Sequence, residues 1–328
     1  MSLLQIPREI RQKIFDLAIC SPTTPPASPS VSQEGRTRLS QDAFDGSGIW
    51  HLRPQNPSLS LLLVNKQFND EAQHALKHIS TNYHVDIMFV KDYGLWPTWH
   101  IPILPDTQYI NSINASFRLF NPTDDLEPRF QNSMSFISGD GGPELAVWSF
   151  YSLLTEFLAR GPGYLGSKND YIVKEININV LAPTDGGSHK SIVSRDQEPK
   201  NETKQRRRPV RSLFCDTSVT PEKRLAMYMA NNLGSILHIG YHTTRYGMPL
   251  WENVADRIVF LVNGTEYKRF EMEDLIENHK INWWGETPSF ITERKEKYQI
   301  WRHWLDERRQ RIKEGIEIND ESPVTYIM

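Results

Sequence analysis

Four stretches of this 328-residue chain carry residue types at spacings that could do chemistry or recognition. In "GPGYLGSK", residues 161 to 168, Gly161, Gly163 and Gly166 satisfy G-x-G-x-x-G and nearly spell a phosphate-binding loop. Such a loop needs a strand before it and a helix after it, so that backbone N–H groups and the helix dipole meet the phosphate. Here a helical run ends at Arg160, a strand begins near Tyr171, and Ser167 and Lys168 stand in reversed order. The expectation is a glycine turn closing a helix. Glu71, His74 and His78 give E-x-x-H-x-x-x-H on a predicted helix, which could put three metal ligands on adjacent turns. A carboxylate-bridged centre needs a second such helix, and zinc a further ligand. The sequence supplies neither, so a polar helix edge is expected. "KQRRRPVR", residues 204 to 211, fits a nuclear-localisation address or a contact for an acidic partner as well as it fits a solvated loop. "WPTWH", residues 96 to 100, puts two tryptophans in a predicted loop, expected to cover the join between two parts of the molecule.

No nucleophile elbow, H-E-x-x-H pair, EF-hand loop, kinase motif set or C-x-x-C is present. The sequence therefore names no catalytic residue, no cofactor-binding residue and no metal ligand set, and the expectation is a non-enzyme. A formal net charge of −3 argues against a broadly basic nucleic-acid binder. Only two cysteines, Cys20 and Cys215, are present, which suits a reducing compartment, cytoplasmic or nuclear. Arg8, Glu9, Arg11, Lys13 and Asp16 interrupt what would be the apolar core of a signal peptide. No run approaches the ~18 apolar residues of a membrane span, so no membrane association is expected.

The elements follow from periodicity. Ile6, Ile10, Ile14 and Leu17 recur at helical spacing behind Pro7, which suits a helix start. Residues 21–58, rich in Pro, Ser and Gly, read as a long mobile insertion. A second helix follows in 59–79, with Leu61, Val64, Phe68, Ala72, Ala75 and Ile79 as its apolar stripe. Tyr83, Val85, Ile87 and Phe89 alternate as a strand, and residues 109–119 and 171–181 read as two more. Residues 144–159 are apolar nearly all round and predict a buried helix, and 222–237 predict another. Residues 183–212 read as a polar, basic loop. Asn263-Gly264 predicts a type I′ hairpin within 257–270. Tyr298, Trp301, Leu305 and Ile312, with Trp304 beside them, mark a C-terminal amphipathic helix that docks on the body.

The N-terminal residues also carry a resemblance. Ile6-Pro7-Arg8-Glu9-Ile10-Arg11, Ile14-Phe15, Leu63-Val64-Asn65-Lys66-Gln67, Glu71-Ala72 and Ser80-Thr81-Asn82 are similar to the head of the fungal F-box-like proteins. The resemblance covers roughly the first ninety residues. It departs from the pattern at Ile6, where leucine is usual, and in the insertion that splits the module. It implies a helical head that binds a Skp1-like adaptor of a ubiquitin ligase through Ile6, Pro7, Ile10 and Ile14, and a body that holds a protein substrate. The expected architecture is α+β: a helical head over residues 1–80, interrupted by the insertion, packed on a mixed α/β body over 81–328. The alternatives are a scaffold that makes no adaptor contact and an enzyme with an unrecognised site in the body.

Overall fold

The computed structural model describes residues 5–20, 24–39, 48–54, 62–76, 81–131, 133–134, 144–166, 171–185, 218–239, 243–279, 287–316 and 321–324. The basic run 204–211, nearly all of the loop 183–212, and Cys215, His78, Ser167, Lys168, Leu61 and Ile79 lie outside them. Among the described residues the chain is α+β, with seven α-helices and eight strands.

Six strands form the main sheet: β3 (Asn82–Val90), β4 (Gly94–His100), β5 (Tyr109–Phe120), β6 (Ile172–Leu181), β7 (Val254–Val262) and β8 (Thr265–Glu271), in the spatial order β4-β3-β5-β6-β7-β8. The four inner strands are parallel, and β4 and β8 are antiparallel edges joined to them by tight turns. The β7–β8 turn is the expected hairpin: Asn263 and Gly264 take φ of 51° and 80°. Inner strands added one after another in one direction by right-handed crossovers put every crossover helix on the same face. Those helices are α3 (Leu145–Arg160), α4 (Pro221–Leu237) and α5 (Thr244–Asn253). Leu153, Leu154 and Phe157 of α3, Leu225, Met229 and Leu233 of α4, and Leu250 of α5 share one core with Ile113, Phe117, Ile176, Ile178, Val180, Ile258 and Phe260 of the sheet.

After the short α6 (Met272–Glu277), the last helix, α7 (Pro288–Lys313), docks as expected on α5 and α6. Trp301, Leu305 and Ile312 are buried. The Tyr298 hydroxyl donates to the Ile276 carbonyl at 2.6 Å, and Trp301 Nε1 to Glu252 Oε1 at 2.9 Å. Arg309 donates to the carbonyls of Trp251 and Val254, satisfying the end of α5.

Three expectations are corrected. Residues 24–39 and 48–54, read as part of a mobile insertion, are packed on the β4 edge. Their two short strands, β1 (Thr37–Arg38) and β2 (Trp50–His51), pair, and Ile49 bridges Leu95. Arg36, 1% exposed, explains the packing: it donates to the carbonyls of Ser32, Trp50 and Pro97 and to the hydroxyls of Ser32 and Thr98, and lies over the Trp96 ring at 5.0 Å. Secondly, "WPTWH" is strand, not loop. Alternation sends Trp96 to one face, against Phe130, and Trp99 to the other, against Phe157. Pro97 is tolerated because β4 is an edge. Thirdly, the second head helix, α2, spans Lys66–Leu76, with the Asn65 side chain accepting from Phe68 N at 2.9 Å in an N-cap. Val64 of the expected stripe therefore precedes the helix and is 57% exposed.

Candidate docking head

Helix α1 (Arg8–Cys20) carries two neighbouring stripes with different fates. Arg11, Phe15 and Ile19, four residues apart, face α2. Phe15 and Ile19 are fully buried, and the Phe15 ring meets Phe68 edge-on at 5.4 Å. With Ala75 and the partly buried Leu76 these side chains form a small cluster that, among the described residues, shares none with the main core. Arg11 is clamped by Glu71, Nε to Oε2 at 2.8 Å and Nη2 to Oε1 at 2.5 Å, and also donates to the Ile6 carbonyl. Gln67 Nε2 adds a bond to Glu71 Oε1 at 3.0 Å. The fork-to-fork pair demands one geometry, so it fixes how α1 sits on α2. The Arg11 hydrogen bond, helped by that of Gln67, holds the Glu71 carboxyl down to about 2.

The stripe singled out by periodicity is the other one. Ile10 is 46% and Leu17 70% exposed, Pro7 is exposed, and Ile6 and Ile14 are half-buried. Leu63 and Val64, just before α2, are exposed as well. None of the four residues expected to meet an adaptor is sealed inside the fold. Beside them a cleft of about 620 Å³ is lined by Arg8, Arg11, Lys66, Gln67, Asp70 and Glu71. The head can therefore offer a partner an apolar helix stripe with a polar cleft at its side. Helices of this kind bind partners in grooves through residues at i, i+4 and i+7.

The other sequence candidates have different fates. Glu71 is the ion-pair partner of Arg11, and His74 is exposed on α2. Among the described residues no group of three or more His, Cys, Asp or Glu side chains could hold a metal ion. The described part of "GPGYLGSK", residues 161–166, closes α3 as a turn. Gly161 and Gly163 take φ of 66° and 68°, and Gly166 N donates back to the Arg160 carbonyl at 2.9 Å. A helix C-terminus offers carbonyls, not N–H groups, so it repels phosphate. Trp96 and Trp99 are core residues.

Sequence reasoning missed a polar band on the sheet face opposite the helices. Arg257 Nε donates to Glu175 Oε2 at 2.7 Å, and Asn177 Nδ2 to Glu175 Oε1 at 2.6 Å and Asn114 Oδ1 at 3.0 Å. Asn114 Nδ2 then donates to Ser112 Oγ at 3.0 Å, and Ser112 Oγ to Asn82 Oδ1 at 2.9 Å. The network crosses β7, β6, β5 and β3. Its signal was present in "INAS" and "ININ", where polar residues alternate along strands that a parallel sheet normally makes apolar on both faces. Compared with protein-family models, curated proteins and solved structures, the chain matches none.

Proposed function

We propose that this chain is a non-enzymatic interaction protein, the substrate receptor of a Skp1-linked ubiquitin ligase, and that its N-terminal head docks on the Skp1-like adaptor. The observation that carries the reading is the fate of the α1 stripe: Ile10, Ile14 and Leu17 keep surface available while Arg11, Phe15 and Ile19 hold the head together. The division lets the head bind a partner without coming apart. The resemblance of the first ninety residues supplies the identity of that partner, and the body, whose core cluster contains none of the described head residues, is left to hold the protein substrate. No helix among the described residues is long and apolar enough to cross a membrane. The reading places the protein in the cytoplasm or nucleus, where such ligases work.

The test uses the purified full chain and a purified Skp1-like adaptor. Wild type is expected to co-elute with the adaptor on size exclusion, and Ile10→Asp with Ile14→Asp to abolish the complex while keeping the wild-type circular dichroism spectrum and melting temperature. No complex with wild type overturns the reading and leaves a scaffold that makes no adaptor contact.

A further inference from the structure

Among the described residues, the polar band on the sheet face opposite the helices keeps its side chains half-buried or exposed. Parallel strands are ordinarily covered on both faces, yet here the helices α3, α4 and α5 cover only one. On the other face the band crosses β3, β5, β6, β7 and β8, about 20 Å at ordinary strand spacing. Packed side chains stand at the C-terminal ends of β3 and β5 and at the N-terminal ends of β5, β6 and β7. At the C-terminal ends stand Met88, Phe120, Leu126 and Phe130, and Arg118 ties Asp86 at 2.7 Å to the Pro26 carbonyl at 2.7 Å. At the N-terminal ends Ile312 of α7 packs with Ile172 and the partly buried Tyr109 and Ala255.

The chemistry of the floor selects its ligand. Its arginines and carboxylates are already matched in place: Arg257 with Glu175, Arg118 with Asp86, and Arg269 with Glu266 and Glu271, while the imidazole of His84 stands exposed in register with Asn114. A phosphate, a nucleic acid or a strongly charged peptide would have to break one of these pairs to be recognised. What the floor still offers is neutral hydrogen bonding from Asn82, Asn177, Asn179 and Ser116, half-buried or exposed. Asn177 uses its Nδ2 within the network and turns Oδ1 to spare, and Asn179 uses Oδ1 to hold Gly264 N and keeps Nδ2. A side-chain amide both donates and accepts, as a sugar hydroxyl does, and networks of such groups strengthen one another. Tyr109 at the N-terminal end of β5 adds an aromatic surface for the C–H side of a sugar ring.

We infer that this face of the sheet binds a neutral oligosaccharide lying across the strands, over the row Asn82, Ser112, Asn114, Asn177, Glu175 and Arg257. The inference does not rest on the adaptor reading, and the two fail separately. Isothermal titration of the full chain with maltotetraose, cellotetraose, chitotetraose and mannotetraose tests it. At least one is expected to bind with Kd of about 0.1–1 mM, and Asn177→Ala and Ser116→Arg each to weaken it about tenfold or more at an unchanged melting temperature. Ser116 takes no part in the network, so its variant still decides the matter if Asn177→Ala unfolds. The head variant Ile10→Asp with Ile14→Asp is expected to bind sugar as wild type does. No saturable binding from any of the four at about 10 mM, or undiminished binding by the folded variants, overturns the inference.

Discussion

Arg11 and Glu71 show how a motif letter can mislead about its purpose. Read along the sequence, Glu71 sits in metal-ligand spacing with two histidines, and Arg11 is one charge among many on an amphipathic helix. Only the pairing of residues sixty positions apart reveals that each is the other's partner, and no periodicity encodes that. The same pairing predicts a pH response with a definite sign. The Glu71 carboxyl is depressed from 4.5 to about 2 by its bond to Arg11, so the folded head binds that proton less readily than the unfolded chain does. Its contribution is fully present above pH 4.5 and is lost as pH falls toward about 2. Glu71→Gln is therefore expected to weaken hydrogen-exchange protection of α1 and α2 at pH 7, and the gap from wild type to close on acidification across that window. A gap that stays constant with pH would mean that the charge on Glu71 does not stabilise the head.

At the scale of elements, strands and helices with a single dominant period were legible. Tyr83, Val85, Ile87 and Phe89 alternate into β3, the all-round apolar 144–159 became α3, and Asn263-Gly264 closed its hairpin. Elements whose burial is created by other parts of the chain were not. Residues 24–39 look like linker because their composition is Pro- and Ser-rich, yet Arg36 and Leu39 are buried through partners supplied by β2 and β4. In β4 a proline disguises the strand, and in α5 Pro249 disguises the helix. The candidate site was half legible: the stripe of α1 was found, but which stripe faces inward depends on α2. Glycine positions give a contrast that tests this level. A Cβ at Gly264 would meet nothing within 4 Å, so Gly264→Ala is expected to cost only the backbone term of its φ of 80°, about 1–2 kcal/mol. A Cβ at Gly163 would lie 2.3 Å from Ile101 Cδ1 and 2.5 Å from Pro54 Cγ, on top of a φ of 68°. Gly163→Ala is expected to destabilise distinctly more in urea unfolding. Equal midpoints for the two variants would show that Ile101 and Pro54 give way without cost.

At the scale of the whole molecule, the main core and the head's apolar cluster differ greatly in size. The main core joins the sheet with α3, α4, α5 and α7, while among the described residues the head's apolar cluster is Phe15, Ile19, Phe68, Ala75 and the partly buried Leu76. A unit with so few buried side chains cannot absorb a large truncation, because removing a buried phenylalanine ring costs about 3–5 kcal/mol. Phe15 is fully buried and supplies the edge contact to Phe68. Phe15→Ala is therefore expected to open the head locally while the sheet stays folded, since regions with separate cores can unfold as separate units. Hydrogen exchange is the measurement: protection should fall in residues 8–20 and 66–76 and be retained in β5 and β6. If protection falls across the sheet as well, head and body are one cooperative unit. In the expected case the variant also loses the adaptor complex while still binding oligosaccharide on the sheet face, because docking needs α1 held as a helix whereas the floor that meets the sugar is built on the body.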